Sequence, residues 1–293
     1  MLQDVISSLK LEAVFSRFSF FWKIQSMSNM AIRIIVGAVG IPIVILLIMF
    51  GGEVFRALTA LIAAIGLLEF YAITGQKGAR PNIAIGIAAT AAIYAPIFFG
   101  LNTNTLLAAA VCMVLATVAI QLWRKGSAVW DITSTLSGVL YFPLLFAFLP
   151  AIHAMKLPID GRFAILSLFA SVWLSDSAAY FGGKLFGRHK LFERVSPKKT
   201  WEGAAAGFFG AIIGFAAVGN ILMPEVAVIH WLILGGLTGI FGPIGDLAES
   251  LLKRDADIKD SSNILPGHGG ILDRFDSMTF AAPIMYFYIV FIL

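Results

Sequence analysis

Apolar residues do not alternate with polar ones along this chain; they run in blocks, at roughly 31–50, 54–74, 82–100, 103–123, 130–154, 162–183, 201–224, 227–251 and 277–293. Each block approaches the ~20 residues a helix needs to cross a ~30 Å hydrocarbon layer. Only helices can satisfy their own backbone in that layer without closing into a barrel. The pattern therefore predicts an all-α, polytopic integral membrane bundle of about nine transmembrane helices. Two polar stretches interrupt it late in the chain, 184–200 and 252–276. In the second, nine of the 24 residues from Lys253 to Asp276 are charged, against 13% of the whole chain.

Composition sharpens this picture. Hydrophobic residues make up 59% of the chain and the mean hydropathy is +0.90, whereas soluble domains hold about 45–50% apolar residues. The net charge of +4 has a topological explanation. Eighteen of the 21 lysines and arginines fall on segments that nine spans with a cytoplasmic N-terminus leave inside; Arg56, Lys156 and Arg162 are the exceptions. That is the positive-inside distribution, so no nucleic-acid partner is expected. The single cysteine, Cys112, excludes an intramolecular disulfide.

Residues 1–26 place Leu2, Val5, Ile6 and Leu9 at helical spacing among lysines and arginines, as an amphipathic helix on the inner membrane surface would. No signal-peptide cleavage pattern follows, and Met27 would also serve as a start. The chain then divides into five spans over 27–160, with few polar residues, and four spans with their loops over 161–293, which carry most of the chemistry. Glu69 and Asp131, the acids near the early spans, are expected to reach an interface or pair locally. The glycine pairs Gly203/Gly207, Gly210/Gly214 and Gly235/Gly239 have GxxxG spacing, whose ordinary meaning is close helix packing.

Ionisable residues within apolar spans are costly and mark candidate sites; here they are Asp176, Asp246 and Glu249. Asp246, Glu249, Ser250 and Lys253 stand at i, i+3, i+4 and i+7, so they share one helix face. Such a stripe suits magnesium beside a phosphate, and equally a salt-bridged helix end. The following loop, "LPGHGGILDRFD", joins Gly267, Gly269 and Gly270, whose backbone can approach an anion closely, to Asp273 and Asp276. If its helix neighbours that of Asp246, the carboxylates could bridge two cations, a common device for displacement at phosphorus. His268 could bind phosphate, ligate metal or hydrogen-bond the loop. Ahead of these lies "SPKKTWEG", where Lys198 and Lys199 could meet a triphosphate or lipid headgroup and Thr200 begins a helix. "GGKLFGRHK" fails the Walker A pattern, which excludes a P-loop.

The stretch "SLLKRDADIKDSSNILPGHGGILDRFD", Ser250 to Asp276, resembles the signature of phosphatidate cytidylyltransferases (CDP-diacylglycerol synthases), with S-x-x-K-R, K-D, P-G-H-G-G and D-R-x-D at the family's spacing. "SDSAAYFGGKLFG" and "SPKKTWEG" are similar to further family stretches, and the resemblance runs from about residue 30 to the end. It implies a homodimeric, multi-pass inner-membrane enzyme whose substrates are CTP and phosphatidic acid. It also implies metal on Asp246 and Asp273, with magnesium at one of two adjacent cation sites and potassium expected at the other. On that reading Asp176, Glu249 and Asp276 are further metal ligands or supports. Lys253 and Arg274 join Asp246 and Asp273 as catalytic candidates. Lys198, Lys199, Thr200, Lys253, Arg254, Lys259, Gly267, His268, Gly269, Gly270 and Arg274 are the substrate-binding candidates, at a site facing the cytoplasm. A CTP-dependent lipid kinase and a cation transporter are the rival expectations.

Overall fold

The computed structural model describes residues 29–101, 103–262, 264 and 269–293. The proposed amphipathic segment 1–26 lies outside them. The apolar blocks become helices α1 (Asn29–Phe50), α2 (Glu53–Gln76), α3 (Ile83–Phe99) and α4 (Thr103–Gln121). Then come α5 (Ala128–Val139), a π-helical turn (Leu140–Leu144) and α6 (Phe148–His153), which together occupy the one block at 130–154. The chain ends with α7 (Gly161–Phe186), α8 (Trp201–Leu222), α9 (Val228–Asp255) and α10 (Leu272–Ile292).

Among the described residues, seven stretches are long and apolar enough to cross a membrane. They are α2, α4, the α5–α6 stretch, α7, α8, α9 and α10. The expectation of about nine is met coarsely, and α3 shows why it is not met in full. Asn82 caps its start by accepting from Ile85 N at 3.2 Å, and Gly100 ends it in the left-handed region at φ 63°. That leaves 17 residues, about 26 Å at 1.5 Å per residue. The wide turn after α5 has a local cause in Pro143, which lacks the N–H that would continue the α pattern. There Phe142, fully buried, stacks on Phe146 with ring centroids 5.0 Å apart.

The expectation of an all-α chain needs one correction. Within the basic loop 184–200, β1 (Lys190–Phe192) and β2 (Ser196–Thr200) form a two-stranded antiparallel hairpin that pairs Lys190 with Thr200 and Phe192 with Ser196. Glu202, in the first turn of α8, closes its base by accepting from Arg188 N at 3.1 Å and from His189 N at 3.3 Å. Thr200 caps α8 as its sequence suggests, accepting from Gly203 N at 3.1 Å.

Two of the three basic residues that break the positive-inside pattern are neutralised locally. Arg56 pairs with Glu53 and Arg162 with Asp160, both at 2.6 Å. The hydrogen-bonded Arg162 guanidinium holds the Asp160 carboxyl below the usual carboxylate range.

Lipid offers helices no hydrophobic reason to associate, so close van der Waals packing must do it. The face of α8 toward α7 is glycine at 203, 207, 210 and 214, and a side chain at any of these would strike α7. A Cβ at Gly214 would lie 2.8 Å from Ala170 O and 3.0 Å from Ser171 Cα. On α9, Gly235 and Gly239 repeat the arrangement against α8. Large apolar side chains such as Leu107, Leu115, Phe209 and Ile213 point outward and are more than half exposed, as a lipid-facing surface requires.

Gly214→Ala and Gly236→Ala are a matched pair, because a Cβ at Gly236 would meet only the Phe208 ring, at 3.7 Å. The added methyl favours a helix by up to about 1 kcal/mol in isolation. Gly214→Ala should instead lose about 1–3 kcal/mol to overpacking, while Gly236→Ala stays neutral or gains. Thermal unfolding in detergent measures both.

Candidate active site

A cavity of about 480 Å³ opens between α7, α9, α10 and the loop joining the last two. The closest approach of α9 to α10 positions it. At Gly245 the Asp276 carbonyl occupies the space a side chain would need, and one turn earlier Gly242 faces Ser277 at ordinary contact distance. Asp246, the next residue, therefore stands beside Asp276. Asp176 joins them from α7, so three carboxylates border the same space. Lys199, from the hairpin, reaches in to pair with Asp246 at 2.6 Å. Asp246 lies nine residues before the end of α9, so the cavity reaches about 13 Å below the helix end.

Toward the loop a second charge group forms. The Lys253 ammonium pairs with Glu249 at 2.5 Å and with Asp273. Asp273 Oδ2 accepts from Ser261 N at 2.9 Å, Ser261 Oγ at 2.8 Å and Gly270 N at 2.8 Å. Gly269 sits at φ 78°, in the left-handed region, and a side chain there would run into Asp273. Arg254, Lys259 and Arg274 line the cavity, are exposed, and form no ion pair with any described residue. Phe169, Val172 and Trp173 from α7 and Met278 from α10 form an apolar wall, and Ser277 also borders the space.

The sequence candidates thus fall into distinct places. Asp176, Asp246, Lys253, Arg254, Lys259, Asp273, Arg274 and Asp276 line one cavity. Glu249 is not among the lining residues and is 1% exposed. Lys199 enters through its ion pair, while Lys198 is exposed outside the lining and Thr200 is buried as the cap of α8. Gly269 and Gly270 shape the loop around Asp273. Gly267 and His268 lie outside the described residues. Among the described residues, no three histidine, cysteine or acidic side chains are arranged to hold a metal ion as they stand.

The two acids of the early spans are both buried and hydrogen-bonded. Asp131 is buried and accepts from Arg80 N at 2.7 Å and Gln121 Nε2 at 3.0 Å, tying the second loop to α4 and α5. Glu69 is paired far from its own stretch of chain. It is 4% exposed, and its carboxylate accepts from Ser261 Oγ at 2.9 Å, Ser262 Oγ at 2.6 Å, Ile271 N at 3.0 Å and Leu272 N at 2.8 Å. These partners are 192 to 203 positions away, so no local spacing signals them; the one clue is an acid inside an apolar span. Asp260 also lines the cavity, without having been singled out from the sequence.

Comparison with known proteins places this arrangement in a family. The profile of the cytidylyltransferase family matches residues 31–292. A phosphatidate cytidylyltransferase of Synechocystis is 31% identical over 294 aligned positions, which cover 89% of this chain and 97% of that protein. One from Haemophilus influenzae is 35% identical over 61% of this chain and 66% of its own length. One from Bacillus subtilis reaches 47% identity over 40% of this chain and 43% of its own length. With a match that begins in the first described helix and ends in the last, the chain belongs to the cytidylyltransferase family.

Proposed function

We propose that this chain is a phosphatidate cytidylyltransferase, joining CTP and phosphatidic acid into CDP-diacylglycerol and pyrophosphate at the membrane. The observation that carries this is the cavity itself. Facing carboxylates, cationic side chains with no ion pair among the described residues, and an apolar wall border one space among membrane helices. A polyanionic nucleotide fits the charged part, and a lipid whose acyl chains stay in the bilayer fits beside the apolar part.

In this reaction a phosphate oxygen of phosphatidate attacks the α-phosphorus of CTP, a new P–O bond forms, and the bond to the β-phosphate breaks to release pyrophosphate. The nucleophile is already an anion, so no general base is needed to create it. The chief barrier is the approach of two polyanions, which positioned cationic groups lower. Arg254, Lys259 and Arg274 have no ion pair among the described residues and face the cavity, so they are the groups best able to neutralise phosphates. Lys199 and Lys253 already hold carboxylates, and Lys198 stands ready outside the lining.

The donor set fits magnesium, a hard cation that takes carboxylate oxygens. Asp176, Asp246 and Asp276 present oxygens to the cavity with one lysine paired among them. Asp246 and Asp273 would hold a pair of cations, magnesium and potassium, with Asp176, Glu249 and Asp276 as further ligands or supports; Asp273 and Glu249 join only on releasing Lys253. Magnesium, when bound, supplies charge screening on the triphosphate and polarisation of the reacting phosphorus. We further place the site on the cytoplasmic side of the inner membrane, with α1 and α3 completing nine spans, the N-terminus inside and the enzyme a homodimer. The distribution of Lys and Arg supports the orientation.

With labelled CTP, phosphatidic acid and magnesium, pyrophosphate and cytidylylated lipid should appear in equal amounts without CDP; CDP with a phosphorylated lipid would establish a kinase instead. Asp246→Asn and Asp273→Asn should each lower kcat per folded molecule by about 100-fold or more, and Asp273→Asn should also lower the unfolding temperature, because it removes a carboxylate from the buried Lys253 ammonium. Turnover like the parent's in either variant removes that residue from the site. Excess chelator should abolish the reaction and added magnesium restore it, so activity that survives chelation contradicts the metal assignment. In a Cys112→Ser background, Lys198→Cys should react with an impermeant maleimide in inside-out vesicles and not in right-side-out ones.

A further inference from the structure

The first turn of α10 poses a hydrogen-bonding problem that its own sequence does not solve. The opening amides of a helix have no intrahelical partner and are usually served by a Ser, Thr, Asp or Asn at the N-cap. Here the N-cap is Ile271, whose side chain can accept nothing. Ile271 and Leu272 are 8% and 1% exposed, so water is a poor substitute, and a buried amide left unserved costs about 1–3 kcal/mol. The acceptor comes from Glu69, two turns before the end of α2.

We infer that Glu69 is a positioning residue for the reaction: a cap supplied from the N-terminal helices that fixes the start of α10 and, through Ser261 and Gly270, the carboxylate of Asp273. Each Glu69 oxygen faces two of the four donors, the Ser261 hydroxyl being shared with Asp273. Oε1 accepts from Ser262 Oγ and Ile271 N, and Oε2 from Ser261 Oγ and Leu272 N. The residue thus staples 261–262, just after Lys259 and Asp260, to 271–272, just before Asp273 and Arg274. Ser261 and Gly270 are themselves the donors to Asp273 Oδ2. Gly270 bears the mark of the same carboxylate, because a Cβ there would lie 2.6 Å from both Glu69 oxygens and closer still to Ser261 Oγ. The glycine keeps open the space through which α2 reaches the loop.

Only a carboxylate offers acceptors on both sides. Glutamine has nearly the same shape but turns an NH₂ toward two of the four donors. Negative charge at a helix N-terminus adds a favourable interaction with the aligned peptide dipoles. In this arrangement α1–α6 do more than hold the chain in the membrane, since one of their side chains sets where the cavity's loop lies. The catalytic part of the inference rests on the cytidylyltransferase reading; the cap itself does not.

The test is Glu69→Gln in the full chain, with Glu69→Asp as the conservative partner. Exchange of the Ile271 and Leu272 amides should accelerate about 10-fold or more in Glu69→Gln, the expected result of losing charged hydrogen bonds. The kcat/KM for CTP should fall by a similar factor per folded molecule, and Glu69→Asp should recover part of both. A lower unfolding temperature with unchanged kcat/KM per folded molecule would show a purely structural role and overturn the positioning claim. If Glu69→Gln does not fold, the parent protein decides: slow exchange at both amides supports the cap, and exchange at the rate of exposed amides refutes it. A parent protein that turns over no CTP would end the cytidylyltransferase reading, leaving amide exchange alone to judge the cap.

Discussion

One buried ammonium group organises the polar end of this protein. Lys253 is 8% exposed and sits between Glu249, 1% exposed on the turn before it, and Asp273, at the start of the next helix. Each of these charges would be expensive in such surroundings alone. Removing one partner from a buried pair typically costs about 3–5 kcal/mol because it strands the other. Lys253 therefore works as a joint between α9 and α10 as well as a lining residue of the cavity. It holds Asp273 in place, and with it Arg274, one residue along, which stays clear of any ion pair with the described residues.

That joint needs a rigid frame, and the frame is made by leaving side chains out. The glycine stripe on α8 and the glycines on α9 bring three helices into near-backbone contact. Gly245 does the same between α9 and α10. Asp176 on α7 and Asp246 on α9 border one cavity within this tightly packed group of helices. The large apolar residues displaced from these seams are found on the outside, where lipid is their proper solvent.

What could be read from the sequence was whatever repeats at helical period or within a turn. The apolar blocks became helices with ends close to those expected, since a bilayer dictates both length and composition. The stripe of Asp246, Glu249 and Lys253, the glycine pairs and the Thr200 cap also depend on residues a few positions apart, and they appear as read. Other features depend on distant partners. Nothing near Glu69 announces Leu272, and nothing near Lys199 announces Asp246. Spacing likewise cannot say whether a lysine will serve a phosphate or a neighbouring carboxylate, and for Lys253 the structure answers with two carboxylates. The hairpin at 190–200 was hidden for another reason: its pairing is closed by Glu202, a helix residue outside both strands.

Ser261 has a single hydroxyl proton, yet its oxygen lies 2.9 Å from Glu69 Oε2 and 2.8 Å from Asp273 Oδ2. It can serve only one of them at a time. Each carboxylate keeps other donors while it waits, Leu272 N for the first and Gly270 N for the second. Switching between them asks only for a rotation about the serine Cβ–Oγ bond, with every heavy atom left where it is. The seam between the two halves of the chain can thus stay closed while the electrostatic face it turns toward the cavity alternates on the timescale of a spinning hydroxyl.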